Sequence, residues 1–236
     1  MSNGVRDIPS GSKASLERLG APGRGQPVVV AQLGQSLDGR IAIPSGESRY
    51  INGEAALAHL HALRAHVDAV VIGVGTAVVD NPKLNVRLVE GADPARVVID
   101  PSGRMTAELC CMSEGGVRRF VVRADDAIVG LEKQDGVEEI RLQREGRFVP
   151  PRAIVEALAE RGMKRVLIEG GAATVSAFVD AGVVDRLHVL VAPMLLGSGK
   201  PGLLLDPIAK LSDALRPKVD VSVLEGGDVL FDCDLV

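Results

Sequence analysis

Between Arg165 and Val179 the chain passes through a strand, a glycine turn and the start of a helix without a spare residue. Val166, Leu167 and Ile168 form a short apolar run of the kind that parallel sheets bury on both faces. Glu169 closes the run, Gly170 and Gly171 turn without side chains, and Val175, Phe178 and Val179 then fall on one helical face. This order sets a helix N-terminus at the carboxyl end of a buried strand. Unpaired N–H groups and the positive end of the helix dipole meet there, which suits a phosphate. A turn that needs glycine for backbone shape alone reads the same way. Glu169 favours a ligand site, because a carboxylate at the edge of a buried strand needs a partner.

The remaining sequence repeats this kind of strand. Val28 to Leu33 is β-branched and mostly apolar, and Ala69 to Val74, Arg96 to Ile99, Val117 to Val122, Val137 to Leu142 and Val184 to Ala192 are also expected as strands. Helices are expected from Asn52, as N-cap, through a face of Leu57, Leu60, Leu63 and Val67, and from Pro150 to Arg161. A short helical turn at Val78 stops at Pro82, and Gly34 to Gly39 reads as a loop. Val219 to Leu224 and Val229 to Cys233 form a hairpin across Glu225–Asp228. Strands alternating with helices and closed by an antiparallel hairpin describe an α/β sandwich with a mixed sheet. Residues 1–26 are rich in Gly, Ser, Pro and charge and are expected as a mobile tail, with a brief helical turn near Ala14 to Leu19. Residues 27–236 are expected as one domain.

Composition removes several partner classes. At 236 residues and 46% hydrophobic content, the chain has the material for a full core. A net charge of −4 spread along the sequence and 2% aromatic residues lead us to expect no nucleic-acid partner. With no long apolar run and no apolar N-terminal segment, no membrane association is expected. Cys110, Cys111 and Cys233 offer neither disulfide nor metal spacing, and a reduced, cytoplasmic protein without a metal site is the expectation. His59 and His61 lie two apart and face different sides of a helix, while His66 and His188 are isolated.

A second chemical cluster follows the strand at Ala69. Gly73 and Gly75 allow a flat ligand close to the backbone, and Thr76, Asp80, Pro82, Leu84 and Arg87 follow. This is no G-x-G-x-x-G fingerprint, and a loop glycine pair with surface charges fits the pattern equally. Arg64 lies beside Leu60 and Leu63 on its helix. Together with Arg87 it would make a fork for a phosphate.

Taken together, these pieces form a pattern. Ser36-Leu-Asp-Gly-Arg40, the Ser-Gly-Glu-Ser48 loop before Tyr50, Leu63-Arg64-Ala65 and Gly75-Thr76 through Asp80-Asn-Pro82, Leu84 and Arg87 are its first half. Arg96-Val-Val-Ile-Asp100, Val166 to Gly171, Val184-Asp185 and Ala192-Pro193 to Gly197 complete it. In this order and spacing the chain resembles the reductase domain of the riboflavin-biosynthesis deaminase-reductase, which has a dihydrofolate-reductase-like fold. The resemblance implies a three-layer sandwich with a mixed central sheet. It also implies a cytoplasmic, NADPH-dependent reduction of the ribosyl group of a small phosphorylated pyrimidine, 5-amino-6-(5-phosphoribosylamino)uracil, to its ribitylamino product. By resemblance, Ser48, Arg64, Leu84, Arg87 and Glu169 contact substrate, the arginines taking its phosphate. Gly34, Tyr50, Thr76, Asp80, Ser102, Gly171, Ala172, Ala173, Thr174, Val175, Ser176 and Ala177 would hold NADPH. A homodimer is likewise implied. Arg104 or Arg123 would supply the cation for a 2′-phosphate. Two other readings stay open: a related reductase of another small substrate, such as dihydrofolate or the diaminopyrimidine analogue, and a nucleotide-binding paralogue without turnover.

Overall fold

A computed structural model describes residues 5–20, 27–105, 109–113, 116–127 and 136–236. In chain order its elements are α1 (Ser10–Glu17), β1 (Val28–Ser36), β2 (Arg40–Ala42), α2 (Glu54–His66), β3 (Ala69–Gly73), α3 (Val74–Asp80), β4 (Ala95–Ile99) and α4 (Cys110–Ser113). There follow β5 (Arg119–Ala124), β6 (Val137–Leu142), α5 (Pro151–Glu160), β7 (Arg165–Ile168), α6 (Ala172–Asp180), β8 (Arg186–Ala192), β9 (Lys200–Pro201), β10 (Lys218–Val223) and β11 (Val229–Asp234).

Nine strands form one sheet in the order β10-β11-β8-β1-β7-β3-β4-β5-β6. From β8 to β6 every neighbour pairs in parallel, while β11 runs antiparallel to β8 and β10 antiparallel to β11. The expected mixed sheet and terminal hairpin are both present. Strand periodicity then distributes the core. Val29, Ala31 and Leu33 of β1 pack with Ile154 and Leu158 of α5 and with Val175 and Phe178 of α6. Val30, between them, faces the opposite layer with Ala62 and Leu63 of α2, Ala77 of α3 and Met112 of α4. Covered on both faces, the central strands are apolar at nearly every position.

Four expectations need correction. Within the expected tail, residues 10–17 are helical, and Leu16 and Leu19 are buried against the α2 layer. The Arg6 N–H donates to the Leu88 carbonyl at 2.7 Å, so this segment belongs to the domain. Gly34, Gln35 and Ser36 continue β1 instead of looping, because β8 is long enough to pair with each of them. Asn52 does not cap α2. Its N-cap is Gly53, and Asp228 of the distant hairpin accepts the Gly53 N–H at 2.8 Å. Finally, Leu57 is exposed, and α2 buries Ala58, His59, His61, Ala62, Leu63 and Arg64.

Candidate active site

The chain leaves β3 for β4, β5 and β6 on one side, returns to β7, and crosses β1 to reach β8. Where strand order reverses in this way, the carboxyl ends of the strands enclose a crevice. Here it is a cavity of about 880 Å³, floored by Gly34 after β1, Gly73 after β3, Ile99 of β4 and Glu169 to Gly171 after β7.

The glycine turn provides the cavity's electropositive end. Gly171 is the N-cap of α6 and no side-chain oxygen caps the helix. Thr174 and Val175 return their N–H groups to the Gly171 carbonyl, and Thr76 Oγ1 accepts the N–H of Gly171 at 3.1 Å. The first-turn N–H groups of Ala172 and Ala173 are thus the ones left for a ligand to take. Gly170 has φ +108°, open to glycine and strained for other residues. At Gly34 a Cβ would lie 2.1 Å from Asn52 Oδ1, so absence of a side chain lets Asn52 pack against the strand at this wall of the cavity.

Glu169 has its partner. Arg64 donates from Nε to Oε1 at 2.8 Å and from Nη2 to Oε2 at 2.7 Å, with both side chains buried. Its Nη1 donates to the Asn85 carbonyl at 3.1 Å. Burial alone would lower the Arg64 pKa, but the facing carboxylate outweighs it and holds the guanidinium above its ordinary value. In this structure three of Arg64's five N–H donors go to Glu169 and Asn85, so its first role is to hold Glu169 and not an open fork with Arg87. The two arginines are still neighbours. Arg87 Nη1 donates to Asn85 Oδ1 at 3.0 Å, and partial burial together with the Arg64 charge pulls the Arg87 pKa down.

Most of the expected site residues line this one cavity: Gly34, Ser48, Thr76, Asp80, Leu84, Ser102, Glu169, Gly171, Ala172, Ala173, Thr174 and Ala177. Leu84 is buried at φ 56°, a conformation that costs a non-glycine residue about 1–3 kcal/mol and is kept where surroundings impose it. Five do not line it. Arg64 lies behind Glu169, and exposed Arg87 lies outside the wall. Tyr50 is 84% exposed at φ 68°, pointed away by its turn. Val175 is in the core, and Ser176 Oγ accepts the Leu204 N–H at 2.8 Å. Of the two candidate 2′-phosphate cations, Arg104 lines the cavity. Arg123 is fully buried beside Asp100 at 3.3 Å and has no access to it.

Several lining residues had no signal in the sequence. Asn52 reaches the Leu190 carbonyl and Asp228, at 3.2 and 2.8 Å, and so fixes the wall beside Gly34. Lys200 arrives by pairing of β9 with β2, and Arg147 and Phe148 by a tight turn after β6. The Ser36–Arg40 motif plays a supporting part. Asp38 takes the Ser36 hydroxyl at 2.6 Å and the N–H groups of Leu196 and Gly197 at 3.1 and 2.7 Å. These bonds, the serine first, hold its pKa down to about 2 and tie two of the sequence motifs together.

Fold and crevice thus define an α/β protein that binds its ligand at a reversal of strand order, next to a helix N-terminus. Residues 27–221 match the RibD C-terminal domain. The chain is 38% identical over 181 residues to riboflavin biosynthesis protein RibD of Corynebacterium ammoniagenes, covering 74% of this chain and 45% of that protein. It is 30% identical over 222 residues to 2,5-diamino-6-ribosylamino-4(3H)-pyrimidinone 5′-phosphate reductase of Methanothermobacter thermautotrophicus, covering 88% and 97%. A crystal structure of a diaminohydroxyphosphoribosylaminopyrimidine deaminase/5-amino-6-(5-phosphoribosylamino)uracil reductase from Thermotoga maritima superposes with a TM-score of 0.74 at 27% identity, covering 89% and 57%. Enterococcus faecalis dihydrofolate reductase, at 12% identity and a TM-score of 0.53 over 89% and 97%, shares the fold. The chain belongs to the RibD C-terminal domain family and has a dihydrofolate-reductase-like fold. It spans about half the length of the RibD proteins it matches, and nearly all of the archaeal reductase.

Proposed function

We propose that this chain is an NADPH-dependent reductase that converts the ribosyl group of 5-amino-6-(5-phosphoribosylamino)uracil to the ribitylamino product. The observation that carries the reading is the meeting, in one cavity, of an uncapped helix N-terminus and a carboxylate fixed by a buried arginine. The names of the archaeal and Thermotoga relatives support the reaction class.

When bound, NADPH supplies the hydride. The N–H groups of Ala172 and Ala173 would hold its pyrophosphate, and the nicotinamide end would lie along Gly34 and Asn52. Glu169, oriented by Arg64 through two charge-assisted bonds, is the residue we assign to the amino and imide edge of the pyrimidine. Ser48 and Leu84 border the same space, and we assign Arg87, three residues on from Leu84 and outside the lining, to the ribose phosphate. An anion there would relieve the repulsion between Arg87 and Arg64. Arg64 is on this account a positioning residue and Arg87 the phosphate contact.

We also propose that two copies pair through the uncovered flank of the hairpin, where Val219, Val221 and Val223 of β10 are exposed. Sedimentation of the purified chain as a monomer would remove that part. Among the described residues no helix is long and apolar enough to cross a membrane, and we place the enzyme in the cytoplasm. The activity is tested by loss of reduced-nicotinamide absorbance with the aminouracil, the diaminopyrimidine analogue and dihydrofolate in parallel. Turnover of a ribosylaminopyrimidine and none of dihydrofolate is expected. The reverse pattern would overturn the proposal.

A further inference from the structure

Gln32 lines the cavity with 8% of its surface exposed, and among the described residues its carboxamide makes no hydrogen bond. Buried side-chain amides are rarely left in this state. The Gln32 amide atoms are not sealed in the interior in the way of Ser12 Oγ or Arg96 Nε, so what completes them is what fills the cavity.

Strand register sets this amide beside Glu169. The last registered pair of β1 and β7 is Ala31 with Ile168, so Gln32 and Glu169 come next on strands about 4.8 Å apart. Alternation puts both on the α2 face, because Val30 and Leu167, two residues earlier, pack in that layer. Their contacts and neighbours agree: Glu169 meets Arg64 of α2, and His188, in register with Gln32 on β8, meets His59 of α2. Leu60, Ile72 and Leu84 complete the floor with apolar surface. Each Glu169 oxygen takes one N–H from Arg64 and has capacity for another, but a carboxylate only accepts. Gln32 is neutral and brings a donor to the same floor.

We propose that Gln32 is a substrate contact that sets specificity, its Nε2 donating to the 4-oxo oxygen of the pyrimidine whose adjacent ring N–H is taken by Glu169. The assignment rests on the reductase reading, which places the imide edge at Glu169. That edge carries a donor and an acceptor on adjacent ring atoms, and a carboxylate beside a carboxamide is its complement. A second carboxylate at position 32 would turn like charge on the carbonyl, and an apolar residue would leave the carbonyl buried without a donor. The aminouracil and the diaminopyrimidine analogue share this edge. Gln32 therefore selects for oxopyrimidines as a class and does not separate those two.

The test is calorimetric titration of the full chain with 5,6-diaminouracil and, separately, with NADPH. The wild type should bind both. Gln32→Met should weaken 5,6-diaminouracil by about tenfold or more and leave NADPH affinity within about twofold, which also shows that the variant is folded. Gln32→Glu keeps the size and the acceptors but removes the donor, and should lose at least as much affinity for the pyrimidine. Unchanged pyrimidine affinity in Gln32→Met overturns the contact. Loss in Gln32→Met with none in Gln32→Glu overturns the donor role, and equal losses of both ligands mark Gln32 as structural and overturn the assignment. A wild type that binds NADPH but not the pyrimidine sinks the reductase reading itself, and this assignment with it.

Discussion

Consider removing one partner of the Arg64–Glu169 pair. Both side chains are about 95% buried, and each carboxylate oxygen accepts one guanidinium N–H at 2.7–2.8 Å. Glu169→Leu leaves a buried guanidinium with only the Asn85 carbonyl, and Arg64→Met leaves a buried carboxylate facing apolar atoms. Either change should cost about 3–5 kcal/mol, because the remaining charge has lost its solvent and its partner. For a chain of this size that lowers Tm by roughly 6–20 °C. The double variant Arg64→Met/Glu169→Leu removes both charges together and should recover most of the loss, leaving a coupling energy of at least about 3 kcal/mol. Urea unfolding of the four proteins, with unchanged m-values, measures it. Losses below about 1 kcal/mol for each single variant, simply adding in the double, would refute the reasoning. That result would mean a hydrated pair and an Arg64 free to hold a ligand phosphate.

Two further outcomes follow from buried polar groups. Burial, with His188 beside it, holds the His59 pKa down to about 3, and burial with Arg64 and Arg87 does the same for His61, against an ordinary 6.5. The unfolded chain therefore takes up protons that the folded chain refuses. Stability is whole above pH ~6.5 and falls as pH drops toward 3, by up to ~1.4 kcal/mol per histidine per unit. Urea midpoints that stay level from pH 7.5 to 5 would contradict this. Asp228→Ala removes the acceptor of the Gly53 N–H and of Asn52 Nδ2 and should cost about 1–3 kcal/mol, read by thermal melting. A change under about 0.3 kcal/mol would show that these bonds do not tie the start of α2 to the hairpin.

What was legible in the sequence was local. The strands could be read because a sheet covered on both faces demands continuous β-branched runs, and the glycine turn at Gly170 because few other sequences join a buried strand to a helix so tightly. What escaped depended on partners far along the chain. Asn52 has the right chemistry for an N-cap, yet it lies one residue before the cap and its amide donates to Leu190 and to Asp228, 176 residues away. Arg64 reads as a phosphate ligand until Glu169, 105 residues on, is found against it. Helix α1 was read as tail because two of its three buried residues are Ser12 and Ser15, which leave no apolar period. The His59–His188 contact, at 3.0 Å between α2 and β8, had no local signature. Site residues that share a segment were legible as a group, whereas Tyr50, expected at the cofactor, sits on a left-handed turn and does not line the cavity.

The central claim is that this cavity transfers a hydride from its dinucleotide to the ribosyl carbon attached to the pyrimidine. Supplying NADPH deuterated at the transferable position of the nicotinamide, with 5-amino-6-(5-phosphoribosylamino)uracil, tests it directly by mass spectrometry of the product. The account predicts a ribitylamino product carrying one deuterium at C1′. Recovery of unchanged substrate, or of a reduced product with no deuterium at that carbon, would contradict it.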